Sequence, residues 1–415
     1  MTSGPGGAWT ADCAPTMGGP NGRAPWLDVS PGAPDDRPRM APPQKTVVVG
    51  MSGGVDSSVA ALLLHQQGYR VIGLFMKNWE EQDDSGVCSA TADYADVARV
   101  CEQIGIPYYA VNFVQEYWNR VFVEFIADYK AGHTPNPDIL CNREIKFAVF
   151  FDMAMKLGAD YLATGHYCRN QVRAGEHRLI KAVDAAKDQT YFLYTIGKAT
   201  LSKVLFPIGD LPKRAVRALA ERHDLSTHAK KDSTGVCFIG ERDFPEFLGR
   251  YIAAQPGEFQ TLAGVPVGQH QGAAYYTIGQ RKGLGLGGAG EPWFVVGKDM
   301  PRQIVHVERG DRHPALYCDE LIAGEVSWVS GAPPQPGSFR CKMKLRYRQS
   351  DQDCVVTELG DGQLQVRFDL PQRAVARRQS VVFYDDDVCL GGAIVEQPGP
   401  SYHERGLALP TQVAR

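Results

Sequence analysis

Apolar residues cluster in short runs that alternate with helical patterns through the first half of the chain. The first run, at 45–51, is rich in valine and precedes a glycine turn and a helical pattern at 57–67, as in a buried strand followed by a helix. The alternation continues with strands at 70–76, 107–113 and 160–164 and helices around 97–104, 115–130 and 142–157. This order predicts an α/β fold with a doubly wound parallel sheet. Ligands of such sheets bind at the carboxyl ends of the strands.

The second half of the chain has a different pattern. After helices at 213–222 and 241–252, short strands separated by Gly and Pro run from residue 256 onward, which predicts β-rich domains. Residues 1–44 contain 16 Gly or Pro and too little apolar periodicity to fold. We therefore expect a disordered Gly/Pro-rich extension at 1–44, an α/β domain at 45–250, a β-rich connector at 251–310, a C-terminal β-barrel at 311–398 and a tail at 399–415.

The composition restricts the compartment and the partners. No window approaches the roughly 18 consecutive apolar residues of a membrane-spanning helix. The ten cysteines include no CxxC pair, which indicates cytosolic thiols and argues against a zinc site. We expect a cytoplasmic protein with no membrane partner and no bound structural metal. Because 44 basic residues face 47 acidic ones, a nucleic acid would have to be bound by a local basic patch.

A small-residue loop with the sequence GMSGGVDSS lies between the first strand and the first helix. Backbone N–H groups, hydroxyls and a helix N-terminus favour a phosphate at such a position. The loop lacks the Gly-Lys-Ser/Thr of a Walker A motif. A helix capped by Ser or Asp is the alternative interpretation, in which Asp56 is a cap instead of a magnesium carboxylate. The loop resembles those of the pyrophosphate-loop ATPases, which cleave ATP to AMP and pyrophosphate, and this resemblance implies ATP with Mg²⁺.

Two cysteines have unusual neighbours. Cys141 follows a Pro-rich loop at the start of a helix, where the helix dipole, Arg143 and Lys146 would favour a thiolate. Cys237 lies in a Gly-framed loop after two lysines. The alternative is that each is a small buried hydrophobic residue, and we assign that role to most of the remaining cysteines.

Ten segments, in order between residues 50 and 394, make the resemblance specific. They are GMSGGVDSSVA, GLFMKNWEE, AGHTPNPDILCNREIKF, LATGHY, KDQTYFLYT, LFPIGDL, KKDSTGVCFIGER, YTIGQRKGLG, RYRQSD and VCLGGAI. The chain resembles the tRNA-specific 2-thiouridylases (MnmA/TrmU). The resemblance implies a pyrophosphate-loop domain of the adenine nucleotide α-hydrolase-like fold and tRNA-uridine 2-sulfurtransferase activity. It also implies ATP-dependent 2-thiolation of the wobble uridine, U34, in glutamate, glutamine and lysine tRNAs.

The resemblance also implies roles for individual residues. ATP would contact Gly50, Met51, Ser52, Gly53, Gly54, Val55, Asp56, Ser57, Met76 and Gly165. The target base would face Asn136, Pro137 and Asp138, with Asp138 as acid/base. Cys237 would carry the persulfide and Cys141 would be its nucleophilic partner, and the two could form a disulfide after turnover. The tRNA would contact His166, Lys187, Asp188, Gln189, Arg346, Tyr347 and Gln379.

The chemistry of thiolation agrees with this set of residues. Adenylation turns O2 of uracil into a good leaving group, a persulfide is a strong nucleophile, and a second cysteine accepts the sulfane bond. The persulfide donor would be a cysteine desulfurase or a sulfur-relay protein. Two alternatives remain open: a pyrophosphate-loop ligase that acts on a small molecule, and a noncatalytic tRNA-binding protein.

A basic pattern in the β-rich half is compatible with an RNA partner. Arg340, Lys342, Lys344, Arg346 and Arg348 alternate with Cys, Met, Leu and Tyr, so a single strand would place all five on one face, where they could follow a phosphate backbone. The alternative is a Lys-rich edge strand protected against aggregation.

Overall fold

The computed structural model describes residues 44–80, 89–232 and 244–414. The predicted extension, apart from Gln44, and Cys237 lie outside these ranges. The strands of the described residues, in chain order, are β1 (Thr46–Met51), β2 (Arg70–Lys77), β3 (Tyr108–Asn112), β4 (Tyr161–Thr164), β5 (Cys168–Arg173), β6 (Glu176–Lys181), β7 (Val204–Leu205), β8 (Gly257–Gln260), β9 (Pro266–His270), β10 (Trp293–Asp299), β11 (Ile304–Arg309), β12 (Tyr317–Trp328), β13 (Ser338–Lys344), β14 (Gln352–Gly360), β15 (Gln363–Arg373), β16 (Ser380–Asp385) and β17 (Val388–Pro398).

Most helices lie in the first half of the chain. They are α1 (Val55–Gln66), α2 (Ser89–Ile104), α3 (Val114–Tyr117), α4 (Val123–Lys130), α5 (Pro137–Leu140), α6 (Phe150–Lys156), α7 (Lys198–Leu201), α8 (Lys213–Arg222) and α9 (Phe244–Gly249). Two π-helical segments, Trp118–Phe122 and Cys141–Val149, join α3 to α4 and α5 to α6. Short 3₁₀ turns occupy Thr190–Phe192, Ala273–Tyr275 and Pro314–Leu316. Within the described ranges, no helix has both the length and the apolar character needed to span a bilayer.

A five-stranded parallel sheet forms the first half, in the order β3-β2-β1-β4-β7. Its centre is fully enclosed, since Val47, Val48 and Val49 are each 0% exposed. Burial on both faces explains why β1 is a continuous apolar run instead of an alternating one. The predicted α/β fold with a parallel sheet is therefore confirmed. Strand order reverses between β1 and β4, and this reversal opens the crevice in which such sheets bind ligands.

A closed barrel lies in the last part of the chain. Strands β12, β15, β14, β13, β16 and β17 are antiparallel neighbours, and pairing of β12 with β17 closes the ring. Between this barrel and the parallel sheet in sequence, β10, β11, β8 and β9 form a separate four-stranded sheet around Phe259, Val295 and Val305. The β-barrel predicted for the C-terminal half is thus present.

The hairpin of β5 and β6 was not predicted from the sequence. It extends the barrel sheet to eight strands, because β6 pairs with β17 through Ile180 and Leu179. A tight turn joins its strands at Ala174 and Gly175, both of which have positive φ angles of 51° and 78°. The hairpin connects the segment that follows β4 to the barrel by backbone hydrogen bonds.

The basic strand differs from both interpretations of its sequence. β13 ends at Lys344, so the prediction of one strand continuing through Arg348 is wrong. Pairing of β13 with β14 and with β16 places it inside the barrel wall, so the edge-strand alternative is also wrong. The three basic side chains on β13 each lie beside a carboxylate: Arg340 beside Asp369, Lys342 beside Asp353 and Lys344 beside Asp351.

Arg378 ties the barrel to helix α4. Its Nε donates to Asp128 (3.0 Å), Nη1 to Glu325 (2.6 Å) and Nη2 to Glu124 (2.6 Å). The residue has a left-handed φ of 67°, a strained conformation for arginine that neighbouring contacts must hold. Arg143, two residues after Cys141, donates to the same Glu325. The barrel and the helical segment that contains Cys141 are thereby joined through one cluster of charges.

Replacement of Arg378 by methionine should lower the free energy of unfolding by about 1–3 kcal/mol, between the values for exposed and buried ion pairs. Three partly exposed carboxylates would each lose one cationic partner. Urea denaturation measures the change. Arg367→Met is the matched control, since Arg367 is 69% exposed beside Glu320 and should cost less than about 1 kcal/mol. Equal losses in the two variants would contradict the bridging role.

Candidate functional site

The loop after β1 leaves the start of α1 free of side-chain caps. Gly54 is the N-cap, and no side chain accepts a hydrogen bond from the first turn of α1. The alternative of a Ser- or Asp-capped helix is therefore wrong. Gly53 has φ of +73°, and a Cβ atom there would lie 2.7 Å from the carbonyl oxygen of Asp93. The loop thus presents backbone N–H groups at a helix N-terminus, an arrangement that binds phosphate.

Serine hydroxyls hold this loop in shape. Ser57 donates to the Gly54 carbonyl oxygen (3.1 Å), and its Oγ accepts from the backbone N–H of Ser52 (3.2 Å). Ser58 donates to the same carbonyl oxygen (2.8 Å). These bonds fix the curvature of the loop from inside and leave its outer side open to an anion.

Asp56 is the only carboxylate of the Gly50–Ser57 loop, and two side chains from other elements bind it. Tyr167 donates to Asp56 (2.7 Å), and Lys213 Nζ lies 2.8 Å from both of its oxygens. The same ammonium group lies 2.8 Å from Asp232. Burial and the Asp56 carboxylate raise the pKa of the Tyr167 hydroxyl, so it stays protonated as a donor.

Asp232 forms ion pairs with three cationic side chains. Besides Lys213, it accepts from Lys187 (2.9 Å) and Arg217 (2.7 Å). Burial alone would raise the pKa of Asp232, but the bonds from Lys213 and Lys187 outweigh burial and hold that pKa well below its usual range. Asp232 precedes Cys237 by five positions. Asp232 is therefore connected, through Lys213, to Asp56 in the Gly50–Ser57 loop.

Gly165 lies against the loop at the carboxyl end of β4. A Cβ atom at this position would be 2.7 Å from the backbone nitrogen of Ser57 and 2.8 Å from the carbonyl carbon of Asp56. Only glycine permits such an approach of two backbones. Met76 lies near the carboxyl end of β2, next to β1 in the sheet, so both predicted nucleotide neighbours lie at the edge where the loop begins.

His166 joins this turn to the helical segment of Cys141. Its Nδ1 lies 2.8 Å from Thr164 Oγ1, and its Nε2 lies 3.5 Å from Lys146 Nζ. Burial, together with the charge of Lys146, holds the pKa of His166 well below its ordinary value. The imidazole is therefore neutral at physiological pH.

The segment predicted to face the base begins a helix. Asn136 is the N-cap of α5 and accepts from the backbone N–H of Ile139 (3.4 Å), and Pro137 fills the first helical position, as the fixed φ of proline favours. Both residues thus have a local structural role. Burial raises the pKa of Asp138, and Lys146 partly offsets this rise. A carboxyl group with a raised pKa suits proton transfer.

Cys141 begins the π-helical segment and is 3% exposed. Arg143, two residues later, donates to Glu144 (2.8 Å) and to Glu325 (3.3 Å). The burial of Cys141 agrees with the alternative of a small hydrophobic residue in the core.

The predicted tRNA contacts differ widely in exposure. Asp188 is 4% exposed and accepts from Ala182 N–H (3.0 Å) and Thr190 Oγ1 (2.8 Å), so its carboxylate organises the interior of a turn. Gln189 accepts from Tyr167 N–H (2.9 Å), on the tyrosine that also binds Asp56. Lys187 reaches outward to Asp232.

The other predicted tRNA contacts lie between the barrel and the first half of the chain. Tyr347 donates to the Lys187 carbonyl oxygen (3.2 Å), Arg346 donates to the carbonyl oxygens of Arg373 and Ala374, and Gln379 donates to the Thr134 carbonyl oxygen. Tyr347 and Gln379 therefore connect the barrel to the turn after β6 and to the loop before α5, respectively.

The structure brings the loop, Gly165, His166 and the helix of Asp138 into one continuous set of contacts. Lys213, Tyr167 and Asp232 belong to that set and were missed from the sequence. Their sequence signals were weak: Lys213 follows a proline at a helix start and Asp232 precedes a Gly-framed loop. In the part of the chain that the structure describes, no group of three or more His, Cys, Asp or Glu side chains could hold a metal ion.

Comparison with known proteins shows similarity across almost the whole described chain. Residues 45–241 match the model of the tRNA methyl transferase HUP domain, 245–309 that of the tRNA methyl transferase PRC-barrel domain and 318–395 that of the aminomethyltransferase beta-barrel domain.

Similar proteins include the tRNA-specific 2-thiouridylase MnmA of Protochlamydia amoebophila, which is 62% identical over 90% of this chain and 99% of that protein. The enzyme of the same name from Geobacillus thermodenitrificans is 58% identical over 86% of this chain and 96% of that protein. Among solved structures, the U34-tRNA thiolase NcsA from Methanococcus maripaludis is 20% identical with a TM-score of 0.32, and the match covers 46% of this chain and 62% of that one.

Substitution of Gly165 by alanine should weaken ATP binding, because the added Cβ overlaps the backbone of Asp56 and Ser57 and displaces the loop at a cost of about 1–3 kcal/mol. That cost corresponds to a dissociation constant about 5- to 150-fold higher, which calorimetric titration can measure. Gly197→Ala is the matched control, since nothing lies within 4 Å of a Cβ placed at Gly197. Unchanged affinity in a folded Gly165→Ala protein would contradict the placement of the nucleotide at this loop.

Proposed function

Because the chain belongs to the tRNA-specific 2-thiouridylase family, we propose that it uses ATP to replace O2 of the wobble uridine, U34, with sulfur. The substrates would be glutamate, glutamine and lysine tRNAs. The sulfur would come from a persulfide donor, either a cysteine desulfurase or a sulfur-relay protein.

One observation carries the proposal: the turn at Gly165 and His166 touches both the phosphate-binding loop and the helical segment that contains Cys141. Gly165 packs on the backbone of Asp56 and Ser57, and the next residue approaches Lys146, five positions after Cys141. A base placed beside this turn would be within the same crevice as the ATP phosphates. The adenylating group and a cysteine could therefore act on one substrate.

The loop and the helix with Asp138 suit the first step, attack of uracil O2 on the α-phosphate of ATP. The loop would hold the leaving pyrophosphate by its N–H groups and the α1 dipole. Mg²⁺ would enter with the nucleotide and neutralise phosphate charge, with Asp56 as the carboxylate nearest to it. O2 can attack only as N3 of the base loses its proton, and Asp138, with its raised pKa, would accept that proton.

The second step replaces the adenylate oxygen with sulfur. The terminal sulfur of a persulfide on Cys237 would attack C2 of the base, and AMP would leave with the oxygen. Attack of the Cys141 thiolate on Cys237 Sγ would then break the S–S bond to the base and form a Cys141–Cys237 disulfide. In the second possible route, Cys141 attacks first and releases sulfide, which then attacks C2. Both routes consume one persulfide and end in the same disulfide.

For the tRNA itself, we propose contacts with partly exposed groups near the crevice and with the exposed Arg346. Lys187, Gln189, His166, Arg346, Tyr347 and Gln379 would bind the RNA, and the buried Asp188 would act by holding the turn that carries Lys187. Because the basic side chains of β13 already lie beside carboxylates, we place the main RNA contacts at the crevice and not along that strand.

Serine substitutions at Cys237 and at Cys141 should each abolish thiolation, lowering its rate by more than about 10³-fold, as for loss of a nucleophile. Release of pyrophosphate that depends on tRNA should persist, because adenylation does not use either sulfur. Mass spectrometry of U34, after incubation with ATP, magnesium and a persulfide donor, measures thiolation. A pyrophosphate assay measures the adenylation step. Cys318→Ala, in the barrel core, is the matched control.

A small-molecule ligase would keep its activity in both serine variants and would release pyrophosphate without tRNA. A noncatalytic tRNA-binding protein would release no pyrophosphate in any variant. Either outcome would overturn the proposal.

Asp138→Asn should lower both pyrophosphate release and thiolation, by about 10²- to 10⁴-fold, because it removes the proton acceptor from the first step. This joint loss distinguishes it from the cysteine variants, in which only the second step fails. Asp152→Asn, on the exposed side of α6, is the control and should match the wild type. If Asp138→Asn retained full pyrophosphate release, Asp138 would not be the acid/base.

A further inference from the structure

Two cysteines lie directly opposite each other on neighbouring barrel strands. Cys341 on β13 pairs in register with Cys354 on β14, and their sulfur atoms are 3.7 Å apart. Both side chains pack with the barrel core. The proposed thiolation does not use either residue.

The two thiols differ in their access to solvent. Cys354 is 0% exposed, whereas Cys341 is partly exposed. The hydrogen bond between Cys341 and Cys354, together with burial, raises the pKa of Cys354 strongly, so Cys354 remains a thiol until Cys341 has reacted. A reagent from solution would therefore meet Cys341 first, with a second thiol held against it.

We propose that Cys341 and Cys354 are a redox modification site at which exchange with a low-molecular-weight disulfide, of the glutathione type, closes a disulfide between β13 and β14. In the first exchange the Cys341 thiolate attacks the small disulfide, forms a mixed disulfide and releases one thiolate. In the second, Cys354 loses its proton and attacks Cys341 Sγ, and the second small thiolate leaves. The protein loses two electrons and two protons, and one small disulfide becomes two thiols.

The geometry permits this bond with limited movement. A disulfide has an S–S length of about 2.05 Å, so the two sulfurs must approach by less than 2 Å, which side-chain rotation can supply. Directly opposed strand residues have Cβ atoms about 4.5–5.5 Å apart, slightly more than the about 3.5–4.5 Å that disulfides prefer. The strands would be drawn together, and a bond under such strain is easily reduced again. These features fit a reversible modification better than a permanent structural bond.

The new bond would enclose residues 342–353. That segment contains the turn of Arg346 and Tyr347, and Tyr347 contacts Phe192 with ring centroids 4.6 Å apart. Closing the loop would restrict the unfolded chain, so the oxidised barrel should melt at a higher temperature than the reduced one.

The test uses the full-length chain with Cys141→Ser and Cys237→Ser, so that a disulfide between those residues cannot compete. The folded protein is incubated with glutathione disulfide, free thiols are blocked, and the chain is cleaved before aspartates. This cleavage puts Cys341 on a 319–350 peptide and Cys354 on a 353–360 peptide. Mass spectrometry should find the two peptides joined. Because this protein cannot thiolate, the result does not depend on the proposed function.

Further variants separate the pair from general cysteine reactivity. Cys354→Ala should accumulate glutathione on Cys341, and Cys341→Ala should leave Cys354 unmodified, while Cys318→Ala should keep the joined peptides. The joined form should also melt at a higher temperature than Cys341→Ala after identical treatment. The proposal would be overturned if the joined peptides formed only in urea. It would also be overturned if the intact Cys341–Cys354 pair stayed reduced, or if the reaction ended with a mixed disulfide of glutathione on Cys341.

Discussion

The structure of the site depends on one close approach, between the backbone of Gly165 and the backbone of the loop at Asp56 and Ser57. At the switch point of the sheet, the turns after β1 and β4 must meet without a side chain between them. This contact fixes the loop on one side and places His166 on the other. The ion pair of Asp56 with Lys213 holds the same loop from the direction of α8, so the phosphate-binding position is fixed from two independent elements.

A second set of charges determines where the helix of Cys141 lies. Arg378 connects α4 to the barrel through Glu124, Asp128 and Glu325, and Arg143 shares Glu325. The barrel also holds the loop before α5, because the backbone N–H of Thr134 donates to the Arg377 carbonyl oxygen. Substitutions in the barrel should therefore shift the position of the loop before α5.

Short-range patterns predicted the fold well, whereas long-range pairings could not be predicted. The apolar run of β1, the helical pattern of α1 and the small-residue loop between them are local properties, and the structure has them where the sequence placed them. The partners of Asp56, by contrast, come from residues 111 and 157 positions away, and no local pattern specifies such contacts. The same limitation applies to the bond of Arg143 to Glu325, which lies 182 positions away. The hairpin of β5 and β6 escaped prediction because its mixed polar sequence has no continuous apolar run.

Four described cysteines that the proposed mechanism does not use are buried, and their thiols have raised pKa values. Burial raises the pKa of Cys101 and of Cys318 to about 12, so both side chains are protonated thiols at neutral pH. Cys168 and Cys389 are buried with their pKa values raised as well. Enclosure in the core separates these four thiols from reagents in solution without any specific contact. Cys341, by contrast, is partly exposed. In the proposed exchange the Cys354 thiol displaces a group added to Cys341, and later reduction of the resulting disulfide returns both residues to thiols.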